Sequence, residues 1–179
     1  MSPGNARAAI VLGIVLASGS LSARVPEAAE PHPARFTNGA SSIDGLLDQF
    51  MKALNGKDKE ALRALRVTED EYRQVVLPGS VDEGQRKYTY PPQESEYFWS
   101  ILNTKSIYGE ANILASYGGR QLKLKAVTYR GGTKKYADYT AYRQVQLTLE
   151  DGKGSKEELG LGSIAEVDGV YKFISYVRK

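Results

Sequence analysis

The chain has 179 residues, 24 Lys and Arg against 21 Asp and Glu, 41% hydrophobic residues, one histidine and no cysteine. A formal charge of +3 is too mild to imply a nucleic-acid partner. With no cysteine, disulfides, thiolate metal sites and cysteine nucleophiles are excluded, and the fold must rest on packing alone.

Arg7 is the only charge in the first 23 residues, and an apolar run from Ala8 to Ala17 follows it. Small residues come next, among them Ser18, Gly19, Ser22 and Ala23. This is the pattern of a secretory signal peptide, and the run is about half the roughly 20 residues a spanning helix needs. Residues 1–23 are expected to direct export, to a periplasm or the outside, leaving no stable membrane span. The rival reading is an uncleaved anchor. Residues 24–40, with Pro26, Pro31 and Pro33, read as a flexible lead, and a single domain is expected over 41–179. His32, the lone histidine, falls in that lead. A mobile lead cannot hold a general base at hydrogen-bond distance, so histidine triads and histidine metal sites are excluded too. No glycine-rich phosphate loop is present. No metal or other cofactor is expected.

Within the domain, Ile43, Leu46, Leu47, Phe50 and Leu54 form one helical stripe, ended by Asn55-Gly56. Asp58 caps a short second helix carrying Leu62 and Leu65. A third helix opens with a capping box, Thr68 and Glu71, stapled by Val67 and Tyr72, and stops at Pro78-Gly79. Pro91-Pro92 begin a long fourth helix ending at Gly118-Gly119. Tyr97, Ile101, Thr104, Tyr108, Ala111 and Ala115 make its main apolar face, and Gly109 is a weak point where it would bend or break.

Past Arg120 the period drops to 2. Residues from Leu122, from Asp138 to Leu149, 157–167 and 170–177 read as four strands. Asp151–Gly154 and Asp168-Gly169 supply tight turns, so neighbours pair antiparallel. The predicted class is α+β, with three to four helices packed on a curved four-stranded antiparallel sheet.

The helix pair LLDQFMKALNGKDKEALRAL and the closing hairpin from Gly162 to Phe173 resemble the nuclear-transport-factor-2-like superfamily, also called the cystatin-like α+β cone. The resemblance spans about residues 43 to 178 and looks closest to exported members of unknown function. It implies a sheet curled around a helix, with a pocket at its open end. Members with isomerase activity use a carboxylate base with tyrosine and acid donors, but no motif here places that trio, so no catalytic residue is carried over.

Two positive features remain. Strand alternation turns Arg143 toward the same side as Tyr139, where a guanidinium needs a carboxylate, a carbonyl or a bound anion. The readings are an internal salt bridge with Glu110 or Asp70, an anion anchor at the pocket mouth, or a bulge that turns Arg143 to water. Trp99 and Asn103, four apart, share a helix face off the main stripe. An aromatic ring beside an amide suits a sugar or a flat ligand, and Tyr97 and Tyr139 are further ligand contacts. Core packing is the competing use of the tyrosines. The cations from Arg120 to Arg143 read as a solvated strand face or an attraction for an anionic partner. The leading expectation is a non-catalytic module that binds a small ligand or a protein. The alternative is an isomerase- or cyclase-type enzyme with an Asp or Glu base and Tyr donors. A homodimer through the sheet face is a third possibility.

Overall fold

The structure, a computed structural model, describes residues 35–177. The expected signal peptide, most of the expected lead and His32 lie outside the described residues. The chain is α+β: helices come first, and two antiparallel sheets of three and four strands follow.

Helix α1 (Ile43–Gly56) starts where Ser42 Oγ accepts the Gly45 N–H at 3.0 Å. It ends one residue later than its Asn-Gly suggests. Lys57 takes the left-handed conformation (φ 55°) and closes the helix. Asp58 caps α2 (Lys59–Ala64) as its position predicts. The third helix, α3 (69–79), opens on the capping box of Thr68 and Glu71. Its middle, Tyr72–Val76, is a π-helical turn. Pro78 has no N–H to give and its ring crowds the preceding turn, and a widened turn is one way a helix absorbs that.

Helix α4 (Pro92–Tyr117) runs unbroken through Gly109. It buries the face opposite to the one its apolar spacing predicts. Ser95, Ser106, Gly109, Glu110, Ile113 and Tyr117 are inside, whereas Tyr97, Thr104, Tyr108, Ala111 and Ala115 are exposed. The reason is close backbone contact. A Cβ on Gly109 would stand 1.9 Å from the Tyr176 carbonyl oxygen, and Ser106 Oγ accepts the Tyr176 N–H at 2.8 Å. Only small or hydrogen-bonding side chains let the segment after the last strand lie against the helix.

The four runs of alternating residues do pair antiparallel, but two of them are broken, and a short strand at Thr133–Lys135 lies outside all four. The strands are β1 (Lys123–Tyr129), β2 (Thr133–Lys135), β3 (Thr140–Tyr142), β4 (Val145–Glu150), β5 (Lys156–Gly160), β6 (Ile164–Val167) and β7 (Val170–Phe173). The expected single four-stranded sheet is corrected to two sheets, ordered β1-β4-β5 and β2-β3-β6-β7. The strand predicted over 138–149 parts at Gln144, whose φ of 54° is incompatible with an extended ladder. The strand predicted over 157–167 parts at Gly162, where a Cβ would meet the Ser175 carbonyl oxygen at 2.5 Å. Each broken strand therefore contributes to both sheets. The Asp168-Gly169 turn is as expected, with both residues at positive φ.

The core has two parts. Leu46, Phe50, Leu54, Leu62, Leu147, Leu159, Phe173 and Tyr176 join α1 and α2 to the three-stranded sheet and β7. Phe36, Val67, Val75, Tyr139, Ala165 and Val167 join α3 to the four-stranded sheet. Phe36 and Ala40, placed by sequence in the lead, are buried. Ala40 pairs with Tyr171 and the Thr37 N–H binds Glu71, so the folded part begins before Ser41.

A cleft between α2 and α4

Residues 65–67 run beside β7. The Phe173 N–H donates to Leu65 O at 2.9 Å and the Val67 N–H to Phe173 O at 2.9 Å. Leu65 and Val67 turn into the core, and Arg66 between them is also buried, at 5% exposure. This strap fixes the arginine beneath α4. There its Nη2 donates to Asn103 Oδ1 at 3.2 Å. Two helical turns on, Glu110 is fully buried and accepts Arg63 Nε on Oε1 at 3.3 Å.

Arg63, Arg66, Trp99, Asn103 and Ile107 line a cleft of about 320 Å³, within the range of small-ligand sites. Trp99 forms one side and leans on Tyr72, ring centres 5.6 Å apart. Among the described residues, Arg66 Nε and Glu110 Oε2 have no hydrogen-bond partner. Burial pulls the Arg66 guanidinium below its ordinary pKa, and the neighbouring Tyr176 and Glu110 push back. A buried cation with an unused N–H would gain from an anion more than a solvated one does.

The five residues singled out from the sequence therefore part company. Trp99 and Asn103 meet in the cleft. Tyr97 is 61% exposed on the far side of α4. Tyr139 lies in the second core cluster, with its hydroxyl 2.8 Å from Ser80 Oγ and its ring stacked on Tyr136. Burial pushes its pKa up to about 12, partly offset by the Ser80 bond, so it stays a neutral packing residue. Arg143 makes no salt bridge with Glu110 or Asp70. Glu110 is bonded by Arg63, and Arg143 sits at the break between β3 and β4, where its Nη2 donates to the Gly131 carbonyl. Of the partners a buried guanidinium could take, it has found a carbonyl. The side chain is half-buried and its Nε has no partner among the described residues, so it is not turned to water.

Arg63, Arg66 and Glu110 were not visible as a group in the sequence. The available clue was Glu110 itself, a charge one residue from Gly109 in a helix, on a face that close packing reserves for small groups. A larger hollow of about 480 Å³ lies over α3 and the start of α4. Its arginine and lysine are engaged, Arg73 with Glu69 and Ser95, Lys87 with Asp138, and its Asp70 is exposed to solvent, so it offers no comparable buried unmet group. Among the described residues no group of three or more His, Cys, Asp or Glu could hold a metal ion, and no helix is long and apolar enough to cross a membrane.

Comparison with family models, curated proteins and solved structures finds no match for this chain.

Proposed function

We propose that the chain is an exported, non-catalytic binding domain that takes a small planar anion, such as an aromatic carboxylate, into the cleft between α2 and α4. The observation that carries this is the buried Arg66, with an unused N–H, bonded to Asn103 and lining the same cleft as Trp99. The arginines would meet the carboxylate, the indole would take the ring face, and Asn103 keeps Arg66 aimed. Glu110 supports binding over catalysis. A general base has to reach the proton it removes, and this carboxylate is fully buried on Arg63. The helix-then-meander order and the closing hairpin are the support for a nuclear-transport-factor-2-like cone. The apolar run behind Arg7 is the support for export.

Trp99 is the only tryptophan, so its fluorescence reports on this cleft alone. Titration with benzoate should change it saturably, and benzyl alcohol, the uncharged analogue, should do so at least about tenfold more weakly. Arg63→Gln should weaken benzoate. Because it also takes the cation from buried Glu110, it should lower the melting temperature too, so binding is compared at a temperature where circular dichroism shows the variant folded. Equal responses to both probes, or no saturable response to benzoate, would overturn the proposal.

A further inference from the structure

The outward face of α4 carries Tyr97, Ile101, Thr104, Tyr108, Ala111 and Ala115, spaced alternately four and three residues apart. That is the 3.5-residue period of a seam between two helices. Five of the six are exposed and Ile101 is half-buried; Tyr97 and Tyr108 are 61% and 68% exposed. Large apolar side chains in a single stripe are unusual on a solvated surface.

The two ends of the stripe differ in size, and in its middle the small Thr104 precedes the large Tyr108. The N-terminal end is bulky, and Tyr88, Tyr90 and Phe98 pack edge-on beside it. The C-terminal end is small: Ala111, Ala115, Gly118 and Gly119. The ends differ in charge too. Glu94 and Glu96 mark the first turns, while at the other end the stem of Lys57 lies over Gly118 and Gly119; Arg120, just past the last turn, is already held by Glu157. A two-fold axis across the middle of the helix would pair Tyr97 with Ala115, Ile101 with Ala111 and Thr104 with Tyr108. It would also bring the acidic end of one helix to the basic end of the other.

We propose that α4 is the self-association surface of this chain, forming an antiparallel two-fold dimer with a second copy. The seam would run about 27 Å at 1.5 Å per residue. Tyr97 and Tyr108 alone present about 250 Å² at roughly 200 Å² per aromatic side chain, near a third of the roughly 800 Å² per partner of a standard interface. Ile101, Phe98 and the alanines add to that. The two copies of Lys105 flank the axis and oppose it, so a micromolar, reversible dimer is expected. It uses the helix, whereas sequence reasoning pointed to the sheet.

The absence of native cysteine gives a direct test on the full chain. Tyr97→Cys and Ala115→Cys are prepared separately, mixed and oxidised. The antiparallel pairing predicts cross-linked dimer in the mixture and almost none in either variant alone, because like positions lie about 27 Å apart. Sedimentation of the unmodified chain should show concentration-dependent dimer that Ala111→Arg abolishes while circular dichroism is unchanged. Cross-linking of Ala115→Cys with itself would mean a parallel pairing and overturn the proposal. A monomer at every concentration, or a dimer indifferent to Ala111→Arg, would overturn it as well.

Discussion

Replacing Lys172 with methionine lowers stability by about 3–5 kcal/mol at neutral pH. That corresponds to a fall of about 10 °C or more in melting temperature. Lys172 Nζ reaches both Glu71 oxygens, at 2.9 and 2.8 Å, and the two side chains are 3% and 5% exposed. The same carboxylate takes the N–H groups of Thr37 and Thr68, each at 2.7 Å. It thereby ties the first folded residues, the start of α3 and β7 together. Removing the lysine leaves a buried carboxylate without its cation.

Acid gives the second signature of this pair. Burial alone raises the Glu71 pKa, but bonds from Lys172, Thr37 and Thr68 outweigh it, and the net is below the usual value. The unfolded carboxyl titrates near about 4.3. The pair's contribution is thus full above that pH and is lost as pH falls through the lower folded value. In Lys172→Met the burial effect dominates and the carboxyl prefers its proton, so mild acid should narrow the gap between the variant and the native chain. Chemical denaturation from pH 7 down to pH 3 would show it. A constant gap would mean that the pair is not coupled in this way.

Gly109→Ala is expected to destabilise, against the usual trend. In a helix interior the change ordinarily gains about 1 kcal/mol. Here the new Cβ would stand 1.9 Å from Tyr176 O and 2.7 Å from its carbonyl carbon, and backbone cannot step aside as a side chain tip can. Overpacking of about 3 kcal/mol leaves a net loss of about 2 kcal/mol, or about 4–8 °C. Thermal unfolding monitored by circular dichroism reads the sign directly. A rise in melting temperature would place the helix elsewhere.

Local chemistry was legible in the chain. Thr68 with Glu71, Asp58, Pro91-Pro92 and Asp168-Gly169 mark their boundaries because a cap or tight turn is decided within a few residues. The change of period after Arg120 was legible for the same reason, and Val145, Leu147 and Leu149 are buried as their alternation requires. Contacts across the fold were not. Nothing near Lys172 announces Glu71, 101 residues away. The breaks at Gln144 and Gly162 leave the alternation in step on both sides, so the pattern reads straight through them. Arg143 keeps its inward parity and still finds only a carbonyl, because it stands where the sheets part. In α4 two stripes compete, and the more apolar one lost because the backbone after β7 needs small neighbours.

The orientation of α4 underlies both the cleft and the seam, since it turns Trp99 and Asn103 toward Arg66 and Tyr97 and Tyr108 to water. It is tested by placing a lysine on each face and comparing melting temperatures in dilute solution. Tyr108→Lys should change the melting temperature by no more than a degree or two, as surface substitutions do, and Ser106→Lys should lower it by about 10 °C or more, since it buries an unpaired charge against Tyr176. A stable Ser106→Lys beside an unfolded Tyr108→Lys would contradict the account.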